Sequence, residues 1–304
     1  MDAKHLTFFR RTAELENMTK AAEELMVSQP FLSRVIAELE KELGVELFDR
    51  IGRGIALNAY GKVFYKRATN IFNEVEDAKK ELQDIQNSHQ ILLTIVTNVS
   101  LYMPGLLKTL AQSQLGLKIR QLSAKKHNML NMLKNGEADF AICCPPLEEN
   151  GEFITVPLRF EPGVIIYPEG HWLSKYSEIS FQQIADETFI GVVKGYGTRE
   201  PLDLFFKELG LTSKISLETN DTSSVFRYVS SGLGIALMPL SQVLREPVFK
   251  DHYVSLSNKA GADIALTWRR NQYISESGRL FIEKSKEYFK SLEEIVESAR
   301  LPQK

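Results

Sequence analysis

One short stretch of the chain combines side chains that can contact the edges of nucleic-acid bases. Gln29, Ser33, Arg34 and Ala37 recur at helical spacing, which places them on one face of a helix. Glutamine and arginine can each make two hydrogen bonds to a base edge, and serine and alanine add no bulk. This face predicts a helix that enters the major groove of DNA. The alternative is an ordinary helical hairpin in an all-α core, because a helix-turn-helix pattern alone is a weak signal.

Two short helices joined by a tight turn would present this face. Thr19 can cap the first helix, and the small side chains of Ala21 and Ala22 let another helix approach closely. Ser28 is a good N-cap for the second helix, and Pro30 falls in its first turn, where a missing N–H costs little. The buried stripe and the helix stop are predicted at Leu32, Val35, Ile36, Leu39, Leu43 and Gly44.

Residues 45–58 alternate in polarity and contain two glycines, which predicts a short β-hairpin, or wing. The turn is expected at Gly52, Arg53 and Gly54. An arginine at the tip of a wing suits a phosphate or the minor groove, and the alternative is a solvated turn arginine.

A long helix is predicted over about residues 59–87, with Asn58 as its cap. Apolar residues recur along it with alternating steps of four and three, which is typical of a coiled-coil dimer. A long helix packed against its own domain is the alternative. The predicted dimer contacts are Phe64, Ala68, Ile71, Val75, Ala78, Leu82 and Ile85.

From residue 90 onward, predicted strands alternate with helices, as in α/β folds. The region is long for a single sheet, so we expect two lobes. The first lobe would take about residues 90–161 and 264–304, and the second about 162–263. The cleft between two such lobes is the natural site for a small ligand.

Charge places a limit on how the first segment could bind DNA. The 304 residues carry a net charge of -2, with 25% charged and 43% hydrophobic residues, as in a globular protein. Residues 1–60 hold eight lysines and arginines against ten acidic residues. Affinity would therefore depend on a few placed cations and on more than one DNA-binding head.

The sequence carries no signal for a membrane segment or for catalysis. Its apolar runs fall short of the roughly 18 residues that span a bilayer, and we expect a cytoplasmic protein without a membrane partner. The five histidines are scattered, and neither a G-x-S-x-G motif nor a phosphate-binding loop is present. We therefore expect no enzyme, no metal and no cofactor. Cys143 and Cys144 are predicted to be buried strand residues, with a thiol sensor as the alternative.

The N-terminal quarter resembles the LysR-type transcriptional regulators. The matching residues are Phe8, Phe9, Thr19, Lys20, Ala21, Ala22, Leu25, Val27, Ser28, Gln29, Pro30, Leu32, Ser33, Arg34, Ile36, Leu39, Glu40, Leu43, Gly44, Leu47, Phe48, Arg50, Arg53 and Leu57. The resemblance continues more weakly through residues 136–139 and 232–239, so that it covers nearly the whole chain. It implies an α/β chain with an N-terminal all-α winged helix-turn-helix (1–58), a dimerisation helix (59–89) and a two-lobed, periplasmic-binding-protein-like (type II) effector domain (90–304).

The resemblance also implies partners and site residues. The partners are double-stranded DNA with spaced half-sites, a small-molecule effector and further copies of the chain, usually as a tetramer. The implied DNA contacts are Thr19, Ser28, Gln29, Pro30, Ser33, Arg34 and Arg53. The implied effector contacts are Ser100, Ser123, Thr198 and Thr222.

One of these effector positions and two departures from the family pattern carry further expectations. Thr222 is expected to cap a helix, and hydroxyls and N–H groups at helix starts favour an anion, although plain capping explains them equally well. Asn58 replaces the family's usual threonine and should cap equally well. Tyr60 replaces a small residue, which predicts altered packing between the wing and the long helix.

These features predict a sequence-specific transcriptional regulator controlled by a small, anionic effector. One alternative is a small-molecule-binding oligomer whose helical head mediates assembly only, without preference for any DNA sequence. An enzyme would require turnover in the cleft, and no residue constellation supports it.

Overall fold

The computed structural model divides into two compact units, Met1–Lys79 and Lys80–Lys304. The structure describes residues 1–52, 54–86, 92–112, 118–147, 151–208, 210, 214–257 and 260–300. Arg53, predicted at the tip of the wing, lies outside the described residues. The units meet within the predicted dimerisation helix. The boundaries at 58/59 and 89/90 stay predictions, and the second falls outside the described residues.

The first unit is a winged helix-turn-helix, as predicted. Its elements are the helices α1 (Ala3–Leu15), α2 (Met18–Glu24) and α3 (Gln29–Leu43), the antiparallel strands β1 (Phe48–Ile51) and β2 (Gly54–Leu57), and the first part of α4 (Ala59–Ile85). Apolar residues from all three short helices form one core, including Leu6, Phe9, Ala21, Ala22, Leu32, Val35, Ile36 and Leu39.

The caps of the helical pair differ in part from expectation. The side chain of Asn17 accepts the backbone N–H of Lys20 at 3.0 Å, so Asn17 caps α2 and Thr19 lies inside the helix. Ser28 caps α3, as predicted, because its hydroxyl accepts the N–H of Phe31 at 3.4 Å. Asn17 thus takes the capping role that was predicted for Thr19.

The junction between the wing and α4 is closely packed. The side chain of Asn58 accepts the N–H of Gly61 at 2.9 Å and caps α4 as predicted. A Cβ added at Gly61 would lie 2.0 Å from the carbonyl oxygen of Leu47, so this position requires glycine. Tyr60 is 62% exposed. The altered packing predicted for Tyr60 stays a prediction, although most of its side chain is in solvent.

The apolar residues of α4 that were predicted as dimer contacts fall into two groups. Phe64 and Ala68 pack in the core of the first unit, and Ala68 is fully buried there. The two residues are therefore core residues, in contrast to the dimer contacts predicted for them. The other five predicted dimer contacts are exposed, namely Ile71, Val75, Ala78, Leu82 and Ile85.

The second unit is built on an eight-stranded mixed sheet, with a separate parallel pair. The order is β4-β3-β5-β12-β6-β11-β7, with β10 also paired to β6, and β8 pairs with β9. The strands are β3 (Leu92–Thr97), β4 (Lys118–Ser123), β5 (Phe140–Cys143), β6 (Phe153–Ile166), β7 (Glu178–Ile179), β8 (Phe189–Val192), β9 (Ile215–Thr219), β10 (Ala236–Pro239), β11 (Tyr253–Leu256) and β12 (Gly261–Arg269).

The long strand β6 connects the two lobes of this unit. It pairs with β12 as far as Pro162, and with β10 and β11 from Gly163 onward. Prolines normally interrupt a strand, and β6 contains Pro157 and Pro162. The structure instead accommodates Pro157 at an irregularity in the pairing with β12.

Helices cover the sheet and complete the lobes. They are α5 (Met103–Ala111), α6 (Lys126–Lys134), α7 (Phe181–Ile184), α8 (Arg199–Glu208), α9 (Thr222–Ser230), α10 (Leu240–Val243) and α11 (Glu276–Arg300). Two apolar clusters fill the first lobe and two fill the second. The described helices include none that is both long enough and apolar enough to cross a membrane.

Candidate functional site

The helix α3 exposes the face that the sequence predicted. Gln29, Pro30, Ser33 and Arg34 are all solvent-exposed, whereas Leu32 on the other side of the helix is fully buried. Thr19 and Ser28 are exposed as well, although Ser28 already serves as the cap. The buried stripe fixes the rotation of α3, so the polar face is presented on a rigid support.

Ion pairs decide which cations of the first unit remain available. Arg10 lies 3.5 Å from the carboxylate of Glu14, and Arg11 pairs with both Glu14 and Glu24. These pairs neutralise both arginines of α1. Arg34 forms no ion pair among the described residues, so its guanidinium is free for an external partner.

A second candidate site is a cleft between the lobes of the second unit. It encloses about 530 Å³, including the part open to solvent. Both lobes contribute, and the lining residues are Asn98, Val99, Leu101, Tyr102, Cys144, Glu161, Pro162, Gly163, Gly197, Thr198, Pro201, Thr222, Leu237, Pro239, Gly261, Ala262 and Ile264. The walls are therefore largely apolar, with a few polar groups, as is usual for a small-ligand site.

The four predicted effector residues are only partly brought together. Thr198 and Thr222 line the cleft, whereas Ser100 and Ser123 do not. Ser100 begins a half-buried turn of 3-10 helix, and Ser123 is exposed at the end of β4.

The start of α9 also differs from expectation. Asp221 caps this helix, and its carboxylate accepts hydrogen bonds from the hydroxyls of Ser223 and Ser224 at 2.7 and 2.6 Å. These hydroxyls hold the pKa of Asp221 below its usual value. Thr222, the predicted cap, is the first helical residue. The positive end of α9 thus already has a carboxylate beside it.

Glu161 is a buried carboxylate at the cleft that the sequence analysis missed. It is 4% exposed and accepts hydrogen bonds from the N–H and the hydroxyl of Ser241 at 2.8 and 3.0 Å. The Nε atom of Arg159 lies 3.2 Å from it. Burial raises the pKa of Glu161, while Arg159 and Ser241 act in the opposite direction. The sequence signal that could have indicated this site is the position of Glu161, a charged residue between two apolar runs.

Two further groups of the cleft lie beside this carboxylate. The hydroxyl of Tyr102 is buried near Glu161 and Ser241. The backbone N–H of Cys144 donates to the side chain of Asn98 at 3.0 Å.

Burial raises the pKa of Cys144, and that of Cys143 to about 12, so the thiolate forms are disfavoured. Both cysteines are buried, as predicted, but only Cys143 is a strand residue, because β5 ends there and Cys144 follows it.

Comparison with known protein families decides between the interpretations of the two sites. Residues 3–62 match the family model of bacterial regulatory helix-turn-helix proteins of the lysR family. Residues 86–290 match the model of the LysR substrate binding domain. The chain belongs to the LysR family of transcriptional regulators.

Relatives of this LysR-family regulator resemble it over most of its length. It is 29% identical to the uncharacterized HTH-type transcriptional regulator YybE of Bacillus subtilis, over 92% of this chain and 97% of that one. A full-length OxyR variant from Pseudomonas aeruginosa has the same fold, with a TM-score of 0.66 and 21% identity over 95% of each chain. The effector binding domain of QuiR in complex with shikimate matches 66% of this chain and 97% of that domain, with a TM-score of 0.54 and 24% identity.

Family membership settles the broad function. The chain is a DNA-binding transcriptional regulator with an effector-binding domain, and the family consists of regulators, not enzymes. The first unit contains the DNA-binding domain, and the two-lobed α/β unit contains the effector-binding domain.

Proposed function

We propose that the exposed face of α3 provides the sequence-reading contacts of this regulator. Gln29 and Arg34 would bind base edges, while Pro30 and Ser33 allow close approach to the groove. Thr19, Ser28 and the wing residue Arg53 would contact the DNA backbone or the minor groove. The observation that supports this assignment is the free guanidinium of Arg34 on an otherwise acidic head.

We propose further that two heads act together through α4. Ile71, Val75, Leu82 and Ile85 are between 47% and 72% exposed on one chain, and Ala78 is exposed beside them. A parallel or antiparallel partner helix would bury this apolar stripe. Assembly of such dimers into a tetramer is the state that the family resemblance implies. Because its target is DNA, we place the protein in the cytoplasm.

The effector is proposed to bind in the cleft of the second unit. Thr198 precedes α8 and Thr222 begins α9, and both line the cavity. A ligand carboxylate at this end could accept hydrogen bonds from the hydroxyls of Thr198 and Thr222, because the N-terminus of α9 already has the Asp221 carboxylate beside it. On the other side of the cleft, the carboxylate of Glu161 disfavours a second negative group on the effector. We therefore propose an effector with one carboxylate and an apolar body, and note that the related QuiR domain binds shikimate.

Footprinting of the full-length protein on DNA upstream of its own gene tests the regulatory proposal. The expected result is protection of spaced half-sites, with binding that persists at salt concentrations that remove the protein from a scrambled duplex. Equal binding to both duplexes would instead support the oligomer without DNA-specific function.

The effector proposal is tested by thermal shift of the same protein. Small apolar carboxylates should raise the melting temperature, whereas the matching primary amides should not. Equal shifts with acids and amides would exclude an anion-selective cleft.

A further inference from the structure

An exposed lysine lies beside the recognition helix, held over two aromatic rings. The Nζ atom of Lys4 is 5.5 Å from the ring centroid of Phe8 and 5.3 Å from that of Phe31. The two rings meet edge to face, with centroids 6.1 Å apart and an interplanar angle of 82°. Both distances fall within the range of a cation–π contact, so the rings favour one position of the ammonium group.

Among the described residues, the charge of Lys4 is unpaired, whereas ion pairs partly neutralise other cations of the first unit. Lys4 is exposed and forms no ion pair among the described residues, unlike Arg10 and Arg11. The nearest carboxylate along the chain, Asp2, is engaged elsewhere. It accepts the backbone N–H of Lys4 at 2.9 Å and contacts the ring of His5 at 2.8 Å.

Phe31 places the lysine at the edge of the DNA-facing surface. It follows Pro30 and precedes Ser33 in the first turns of α3, and its ring remains 37% exposed despite its contact with Phe8. Phe8, in contrast, is buried in the core, so the platform under the ammonium is rigid on that side.

We infer that Lys4 binds a backbone phosphate next to the bases faced by α3, with Phe8 and Phe31 positioning its ammonium group. The contact carries no sequence information and sets the position of α3 along the groove. It rests on the proposed role of α3 but makes a separate prediction, because a phosphate contact acts on every DNA sequence alike.

The test compares full-length wild-type protein with Lys4→Met on an operator duplex and on a scrambled duplex over a range of salt concentrations. Loss of this phosphate contact should weaken binding about eightfold for each bound head at 0.1 M salt, by the same factor on both duplexes. The slope of log K against log salt should fall by about 0.9 for each bound head. A fourfold rise in salt should then cost the variant about three- to fourfold less affinity, for each bound head, than it costs the wild type.

Two further variants separate this contact from general effects of charge and fold. Lys41→Met removes the same charge from the last turn of α3, about 15 Å along the helix from Phe31, and should leave the slope unchanged. Phe31→Leu keeps the charge but removes one ring, so it should weaken binding about two- to fivefold at an unchanged slope.

The outcomes distinguish failure of this inference from failure of the proposed function. A wild-type slope in Lys4→Met, or an equal fall in Lys41→Met, would overturn the phosphate contact while sequence preference remained. Loss of operator preference in the wild type would overturn the role of α3 as well. Because Lys4 and Lys41 are both exposed, the melting temperatures of the two methionine variants should match the wild type, and this comparison excludes unfolding as the cause.

Discussion

The substitution Leu82→Ala tests whether α4 joins two copies of the regulator. Leu82 is 61% exposed in one chain, on the same apolar stripe as Val75 and Ile85, which are 49% and 72% exposed. Full burial of a leucine side chain contributes about 2–3 kcal/mol, so about 1.5 kcal/mol remains to be gained when a partner covers it. A symmetric dimer gains this twice, about 3 kcal/mol in all.

That energy sets the expected result. Since alanine retains part of the apolar contact, the dimer dissociation constant should rise between about 30- and 100-fold. Alanine is the best helix former, so α4 itself remains intact. Sedimentation velocity over a concentration series measures the change directly. The matched control is Asn70→Ala, at an exposed polar position outside the apolar stripe of the same helix.

An unchanged dimer dissociation constant in Leu82→Ala would refute the reasoning. It would mean that another surface holds the copies together and that the exposed stripe of α4 has a different partner. An equal change in Asn70→Ala would show that the effect comes from the helix as a whole and not from the stripe.

Two other predictions concern stability. Gly61→Ala should lower the melting temperature and cost about 1–3 kcal/mol, because its Cβ would overlap the carbonyl oxygen of Leu47, whereas the exposed Tyr60→Ala should have little effect. Equal melting temperatures for Gly61→Ala and the wild type would contradict this packing. For Glu161→Gln, burial raises the native pKa above the ordinary 4.5, so the wild type should lose stability relative to the variant as pH rises above 4.5. Thermal melts of both proteins from pH 4.5 to neutrality measure this difference, and a difference independent of pH would contradict it.

Local patterns predicted the first unit well because its signals are local. The apolar stripe of α3, its serine cap and the glycines of the wing each act within a few residues. The apolar repeat of α4 shows the limit of local patterns. Periodicity indicates that Phe64 and Val75 lie on an apolar face, but it does not identify the surface that covers them. The structure assigns Phe64 to the core of the first unit and leaves Val75 exposed.

The cleft depends on contacts between distant residues, which a single sequence does not reveal. Glu161 meets Ser241, 80 positions further along the chain, and their hydrogen bonds exist only because β6 crosses between the lobes. Of the four hydroxyls expected at one site, Thr198 and Thr222 line the cleft, whereas Ser100 and Ser123 are not among its lining residues. Helix and strand ends could be located from the sequence, whereas the directions in which they face could not.

The most direct test of the central claim, that α3 reads DNA sequence, is the ratio of operator to scrambled-duplex affinity in Arg34→Ala. A bidentate contact to a base contributes about 1–3 kcal/mol, so operator affinity should fall about five- to 150-fold. Affinity for the scrambled duplex should change far less, and the ratio should therefore fall almost as much as the operator affinity. An unchanged ratio, with both duplexes weakened equally, would show that Arg34 binds phosphate and would contradict base reading by this face.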